Sequence, residues 1–355
     1  MVDLVSSLVD RVGSTLLTSA GRSPSGGRSP SGGRSPSGGR SPSGGRFPEA
    51  ADPETGEWTW TADGSWSGGY WPGLLRLAGI ATGDATYARA AVDAAAPLAA
   101  RTQAPTILRG MLFWYGLAVP EVSIAAAESL AADFDPVAGV LPCGAQDVSA
   151  YGWPRPGVVV DGLPGTVPLL AFAASRSDVE LRPMAEAYAR AVVALCVRED
   201  GSVAQSATYE PDGNLIARAS LNGVTPESTW ARGQAWGMLG LAQAAVLSAE
   251  FEEPAARVAD WWLAHVPSDL VSWWDFDDPG TLRDTSASAI AAAALALLGG
   301  DRYRRAAADT VTALTGLLGP HGGLIEGCAH PPASGELVWG DYFLLEAALR
   351  LADAL

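Results

Sequence analysis

Alanine- and leucine-rich stretches at helical spacing, each set off by a loop carrying tryptophan, glycine or proline, recur along this chain and constrain its fold more than any other feature. Twelve such stretches are legible, at 2–19, 71–82, 85–101, 107–117, 121–133, 162–175, 178–197, 230–248, 252–266, 284–298, 301–318 and 339–354. Strand signals are few and short, concentrated around 202–217. Helices this rich in alanine approach one another closely. Several are apolar on more than one face, which requires cover on both sides. The pattern predicts an all-α chain of helical hairpins wound into two concentric layers. With 48 % apolar residues, 355 positions are enough for a large core without covalent staples.

One segment breaks the rhythm. Residues 22–45 are four copies of RSPSGG, closed by Arg46. Glycine, serine and proline leave nothing apolar to bury, so a mobile linker is expected, either a passive insertion or a lid beside a binding site. The single helix before it is too short to be a domain. The chain therefore reads as one domain, 1–355, with a low-complexity insertion at 22–46.

All 23 basic residues are arginine. Without lysine there is no Schiff base, no P-loop and no lysine nucleophile. A net charge of −16 argues against nucleic acid and anionic membrane as partners, because a phosphate surface demands a basic face. Cys143, Cys196 and Cys328 are widely spaced and odd in number, so no disulfide framework or zinc site is legible, and no metal or other cofactor is expected. The N-terminal stretch reads as an amphipathic helix without the basic start and apolar run of a signal, which points to a soluble cytoplasmic protein. G-x-S-x-G, dinucleotide-glycine and His-Glu-x-x-His signatures are absent from the sequence. Oligomeric state is not legible.

Chemistry concentrates in a few stretches. In "VVVDGLPGTVPLL" (158–170) a bare carboxylate, Asp161, follows three valines and precedes a second apolar run. Burial there disfavours the ionised form and raises the pKa, so that a carboxylic acid can serve as a proton donor near neutrality. Capping of the helix that follows is the competing role. Many of the thirteen tryptophans, Trp66, Trp71, Trp153, Trp230 and Trp236 among them, fall in loops or near helix ends. Aromatic planes at the rim of a helical barrel suit a ring with C–H and O–H faces, such as a sugar, although core packing explains such residues as well.

Four stretches together resemble the unsaturated glucuronyl hydrolases, glycoside hydrolase family 88, and less closely the unsaturated rhamnogalacturonyl hydrolases. They are "DGSWSGGYWPGLLRLA" (63–78), "VVVDGLPGTVPLL", "STWARGQAWGMLG" (228–240) and "WWDFDDPGTLRDTSASAIAA" with "LVWGDYFLLEAALRL" (273–292, 337–351). The resemblance implies an (α/α)6 barrel and an unusual glycoside cleavage. A carboxylic acid protonates the C4=C5 enol ether of a terminal unsaturated uronic ring, water adds at C5, and the hemiketal opens and releases the aglycone. Asp161 matches the family's acid and base. Arg232 and Trp236 match residues that hold a substrate's polar groups and stack on its ring; the other role for Arg232 is an ion pair with a carboxylate such as Glu227 or Asp284. Gln234, on the same helical turn, reads as structural. Trp66 and Tyr342 enter as substrate-binding candidates by resemblance, and Trp71 as part of the aromatic rim.

The match has gaps. In "TILRGMLFWYGLA" Ile107 and Leu108 stand where the family has His-Asp, so its second carboxylate is replaced by Leu108. Gln205 stands in place of a histidine, and Leu221 and Asn222 in place of His-Gln. Such changes dry the pocket and point to a less polar substrate. Two further functions remain open at this level: a cyclase, isomerase or hydratase of a biosynthetic pathway using the same Asp161 acid, and a non-catalytic sugar-binding protein. Of the three histidines, His265 reads as the end of a helix and His330 as a loop contact.

Overall fold

Alanine spacing and apolar faces do produce the expected helices. The computed structural model describes residues 2–20, 47–154, 156–177, 179–280 and 282–355. The RSPSGG segment lies outside them. In chain order the helices are α1 (Val2–Ala20), α2 (Tyr70–Thr82), α3 (Ala85–Ala95), α4 (Arg109–Tyr115), α5 (Pro120–Ala132), α6 (Ala145–Tyr151) and α7 (Leu163–Ala174). They continue with α8 (Leu181–Cys196), α9 (Ala231–Leu247), α10 (Glu252–His265), α11 (Thr285–Leu298), α12 (Gly300–Thr315) and α13 (Val338–Leu351).

Contacts sort the helices into two rings. Helices α2, α4, α7, α9, α11 and α13 touch in that order, and α13 returns to α2, which closes an inner barrel. Their composition explains the position: every residue from Ala231 to Ala244 in α9 and from Thr285 to Ala296 in α11 is buried. Outer helices are amphipathic and bury one stripe, as α8 does with Leu181, Ala185, Tyr188, Ala189 and Val192. The first helix joins this outer ring between α2 and α13. It is pinned there by Arg11, whose Nε and Nη2 donate to the buried Glu336 at 2.7 and 2.8 Å.

Glycine sets the closest approach in the inner ring. A Cβ on Gly110 of α4 would lie 2.2 Å from Thr166 Oγ1 and 2.3 Å from Thr166 N, so α4 and α7 meet backbone to backbone. Gly110→Ala is therefore expected to lower stability by about 2 kcal/mol through overpacking, read as a shift in denaturant midpoint at constant slope.

Seven short strands accompany the barrel: β1 (Phe47–Ala51), β2 (Trp58–Thr61), β3 (Gly157–Val159), β4 (Ser206–Tyr209), β5 (Leu215–Ala219), β6 (Gly327–His330) and β7 (Ala333–Leu337). They form two antiparallel sheets, ordered β2-β1-β7-β6 and β3-β4-β5. Only the β4–β5 region was expected. No helix is long and apolar enough to cross a membrane among the described residues.

Candidate active site

The first two valines before Asp161, Val158 and Val159, close strand β3 and are fully buried, with Val159 opposite Ser206 of β4. Val160 N continues the ladder by donating to Gln205 O at 2.8 Å. A single 3₁₀ turn over Val160–Gly162 then carries Asp161 out of the sheet before α7 begins. The turn is held tightly: a Cβ on Gly162 would sit 2.5 Å from Ile107 Cγ1 and 2.9 Å from the Tyr188 hydroxyl. Pro164 and Gly165 break the start of α7, with Gly165 at φ +80°. Gly162 occupies the N-cap position and no side-chain cap is made, so Asp161 is not a helix cap.

Asp161 is 7 % exposed and opens into a cavity of about 260 Å³. Its Oδ1 accepts from Gln205 Nε2 at 3.5 Å, while Oδ2 is buried with no hydrogen-bond partner among the described residues. Gln205 is oriented by its other atom, since its Oε1 accepts from Asn222 N at 2.9 Å. Burial pushes the Asp161 carboxyl up to about 6, against the opposing pull of its own backbone N–H, the Arg232 charge and the Gln205 amide. A buried carboxyl with one free oxygen, titrating near neutrality and facing a cavity, is equipped to donate a proton and take one back.

Cavity walls come from many elements. Trp66, Leu108, Asn222, Arg232 and Trp236 line it, as the sequence reading expected. Gln205 lies just behind, buried against Asp161. Trp71 and Tyr342 are not among the lining residues. Trp71 is buried in α2, while Tyr342 is packed inside the barrel against Tyr70, Tyr115 and Phe343, with centroids 5.0–5.4 Å apart.

Sequence reasoning missed Met111, Tyr151, Ala329 and His330 as cavity residues, whereas Trp153 and Trp230 had been placed among the rim tryptophans. Met111 was accessible to pattern reasoning, because it lies three residues after Leu108 and so on the same helix side. Trp153 and Trp230 were legible as loop and helix-end tryptophans. His330 reaches the cavity because it ends β6, a strand without sequence signal, and not as a plain loop contact.

Of the two roles expected for Arg232, the structure shows the ion pair, and it is with Asp284. Nη1 donates to Asp284 Oδ2 and to Cys328 O, both at 2.6 Å, and Nη2 donates to Ala329 O at 3.0 Å. The guanidinium also lies 4.7 Å from the Trp230 ring and 5.1 Å from Trp274. It therefore clamps β6 against the inner helices and still presents an edge to the cavity. Gln234 is structural: it accepts from Val203 N and donates to Gly201 O and Val258 O. Asp161 is the one carboxylate among the described cavity-lining residues.

No protein-family profile matches the chain. Individual proteins do. An unsaturated glucuronyl hydrolase of Bacillus sp. (strain GL1) is 33 % identical over 328 residues, covering 81 % of this chain and 86 % of that protein. An unsaturated chondroitin disaccharide hydrolase of Streptococcus agalactiae serotype III is 32 % identical over 132 residues, 35 % of this chain and 33 % of that one. The crystal structure of the Bacillus sp. GL1 unsaturated glucuronyl hydrolase, described as responsible for the degradation of glycosaminoglycan, superposes with a TM-score of 0.82 at 28 % identity. That superposition covers 98 % of this chain and 96 % of the other.

Proposed function

The chain belongs to the unsaturated glucuronyl hydrolase family, and from that premise we propose that it hydrolyses a glycoside ending in a 4,5-unsaturated uronic ring, with Asp161 as acid and base. One observation carries the mechanism: Asp161 is a buried, partly unpaired carboxyl, raised to about 6, at the wall of an aromatic cavity. Its neutral form delivers a proton to C4, and the ring oxygen supports the positive charge that develops at C5. Water attacks C5 and gives its proton to the Asp161 carboxylate, which restores the acid. The hemiketal so formed opens to a C5 ketone and a C1 hemiacetal, which expels the aglycone. Each step conserves charge and needs no further reactant.

The other groups bind. Trp66 and Trp236 offer ring faces to the sugar, Asn222 a neutral amide, and Arg232 and His330 donors for anionic or hydroxyl oxygen. Full-length likeness to a hydrolase favours water over an internal hydroxyl as the nucleophile, so cyclisation has no observation in its favour.

The test is direct. Incubation with an unsaturated glucuronyl disaccharide is expected to bleach the ultraviolet absorbance of the conjugated enoate and release the free sugar; an unchanged spectrum at high enzyme concentration refutes hydrolysis of this class. The pH profile follows from the sign of the Asp161 shift. Raising the pKa keeps the proton on to higher pH, so kcat/KM is expected to fall tenfold per pH unit above about 6. A limb that descends already near pH 4 would remove Asp161 as the acid.

A further inference from the structure

Polar groups are distributed unevenly around the cavity. The turn before α7, the loop after β5, helix α9 and strand β6 each contribute at least one: Asp161, Asn222, Arg232 and His330. Helix α4 contributes only Leu108 and Met111.

That apolar wall is fixed in place. Thr106 Oγ1 donates to the buried Asp147 at 2.5 Å, Ile107 N donates to the same carboxylate at 2.9 Å, and Leu108 N donates to Thr106 Oγ1 at 3.1 Å. Ile107 rests on Gly162, the residue after Asp161, and Gly110 meets Thr166, so the backbone that carries the wall is packed beside the acid. Leu108 occupies the N-cap of α4, where its carbonyl accepts from Met111 N at 3.0 Å, and its side chain is buried.

We infer that Leu108 and Met111 form an apolar subsite that selects an unsaturated uronic ring bearing a deoxygenated or O-alkylated carbon, in place of a free hydroxyl, on the face toward α4. This rests on the reading that the cavity takes such a ring. A free hydroxyl pressed against these side chains gives up water and gains no partner, whereas a C–H or O-methyl group fills the same space without that loss. An apolar pocket discriminates by about 10- to 100-fold on such a difference.

The experiment compares an unsaturated glucuronide having both ring hydroxyls free with its singly O-methylated and singly deoxygenated counterparts. Turnover is measured as kcat/KM, and binding to the Asp161→Asn protein as quenching of the cavity tryptophans. At least one masked or deoxygenated ring is expected to be preferred by about 10- to 100-fold in both measurements. Leu108→Asn is expected to remove or reverse the preference; because it places an amide at a buried position the melting temperature falls, and the ratio is read on protein whose melting curve shows it folded. Met111→Gln, the second variant, should shift the ratio the same way. A wild-type preference for the free hydroxyls, or a ratio unmoved in both variants, overturns the inference. If no ring is turned over, the hydrolytic reading fails while the binding ratio still decides the subsite; equal binding or none overturns the subsite as well.

Discussion

Asp161→Asn is expected to lower kcat on an unsaturated glucuronide by about a thousandfold while making the protein more stable, two effects with one cause. Asparagine keeps the shape and the Gln205 contact but cannot transfer a proton to carbon, and positioned acid–base groups are worth about 10²–10⁴ in rate. The stability gain follows from linkage. The folded carboxyl titrates near 6 against 3.8 for the ordinary aspartate, so the stability tied to its neutral form is full below 3.8 and is lost as the pH rises through 6. At neutral pH the fold therefore carries an ionised, incompletely paired carboxylate, a penalty of up to about 3 kcal/mol that asparagine relieves. Melting curves and initial rates on the same preparation check both halves. A variant that keeps a tenth of the activity, or one that melts lower than the parent at neutral pH, contradicts this account of the site. Such a trade of stability for function is the ordinary signature of a catalytic group held in an unfavourable place.

Helices were legible because their apolar periodicity is long enough to average over irregularities. Each of the twelve expected stretches contains a helix in the structure, and boundaries differ by a few residues where a helix tightens, as when 85–101 becomes α3 followed by a 3₁₀ segment at Ala96–Arg101. Helix α6, seven residues of "AQDVSAY", is too short to show a period. Strands fared worse for a physical reason. Gly157–Val159 and Gly327–His330 are three and four residues long, below the length at which alternation can be told from chance, and the partner of the first, β4, lies nearly fifty residues further along the chain. Those strands are what bring Asp161, Gln205 and His330 to the cavity, so the site was less legible than the barrel. Asp161 stood out through the valines before it, a local signal. His330 had none, because its position depends on Arg232 holding Cys328 O and Ala329 O from far along the chain.

That clamp supports the second large effect. Arg232→Met is expected to destabilise the protein by about 3–5 kcal/mol, the range for removing one partner of a buried ion pair, and so to lower the melting temperature by on the order of 10 °C. Asp284 is fully buried and also accepts from Ser286 N and Cys328 N, so it cannot leave the interior when its counter-charge is lost. Methionine fills the space of the arginine stem but supplies no donor to Cys328 O or Ala329 O, which frees β6 and with it His330 at the cavity rim. Paired replacement with Asp284→Asn should recover part of the stability, since it removes the stranded charge, without restoring activity to the parent level. The pH profile separates this role from substrate binding alone. Arg232 pulls the Asp161 pKa down, so removing its charge moves the descending limb to higher pH. An arginine that served only to grip substrate would leave the melting temperature unchanged on substitution, and one that served only the fold, remote from the acid, would leave the limb where it was.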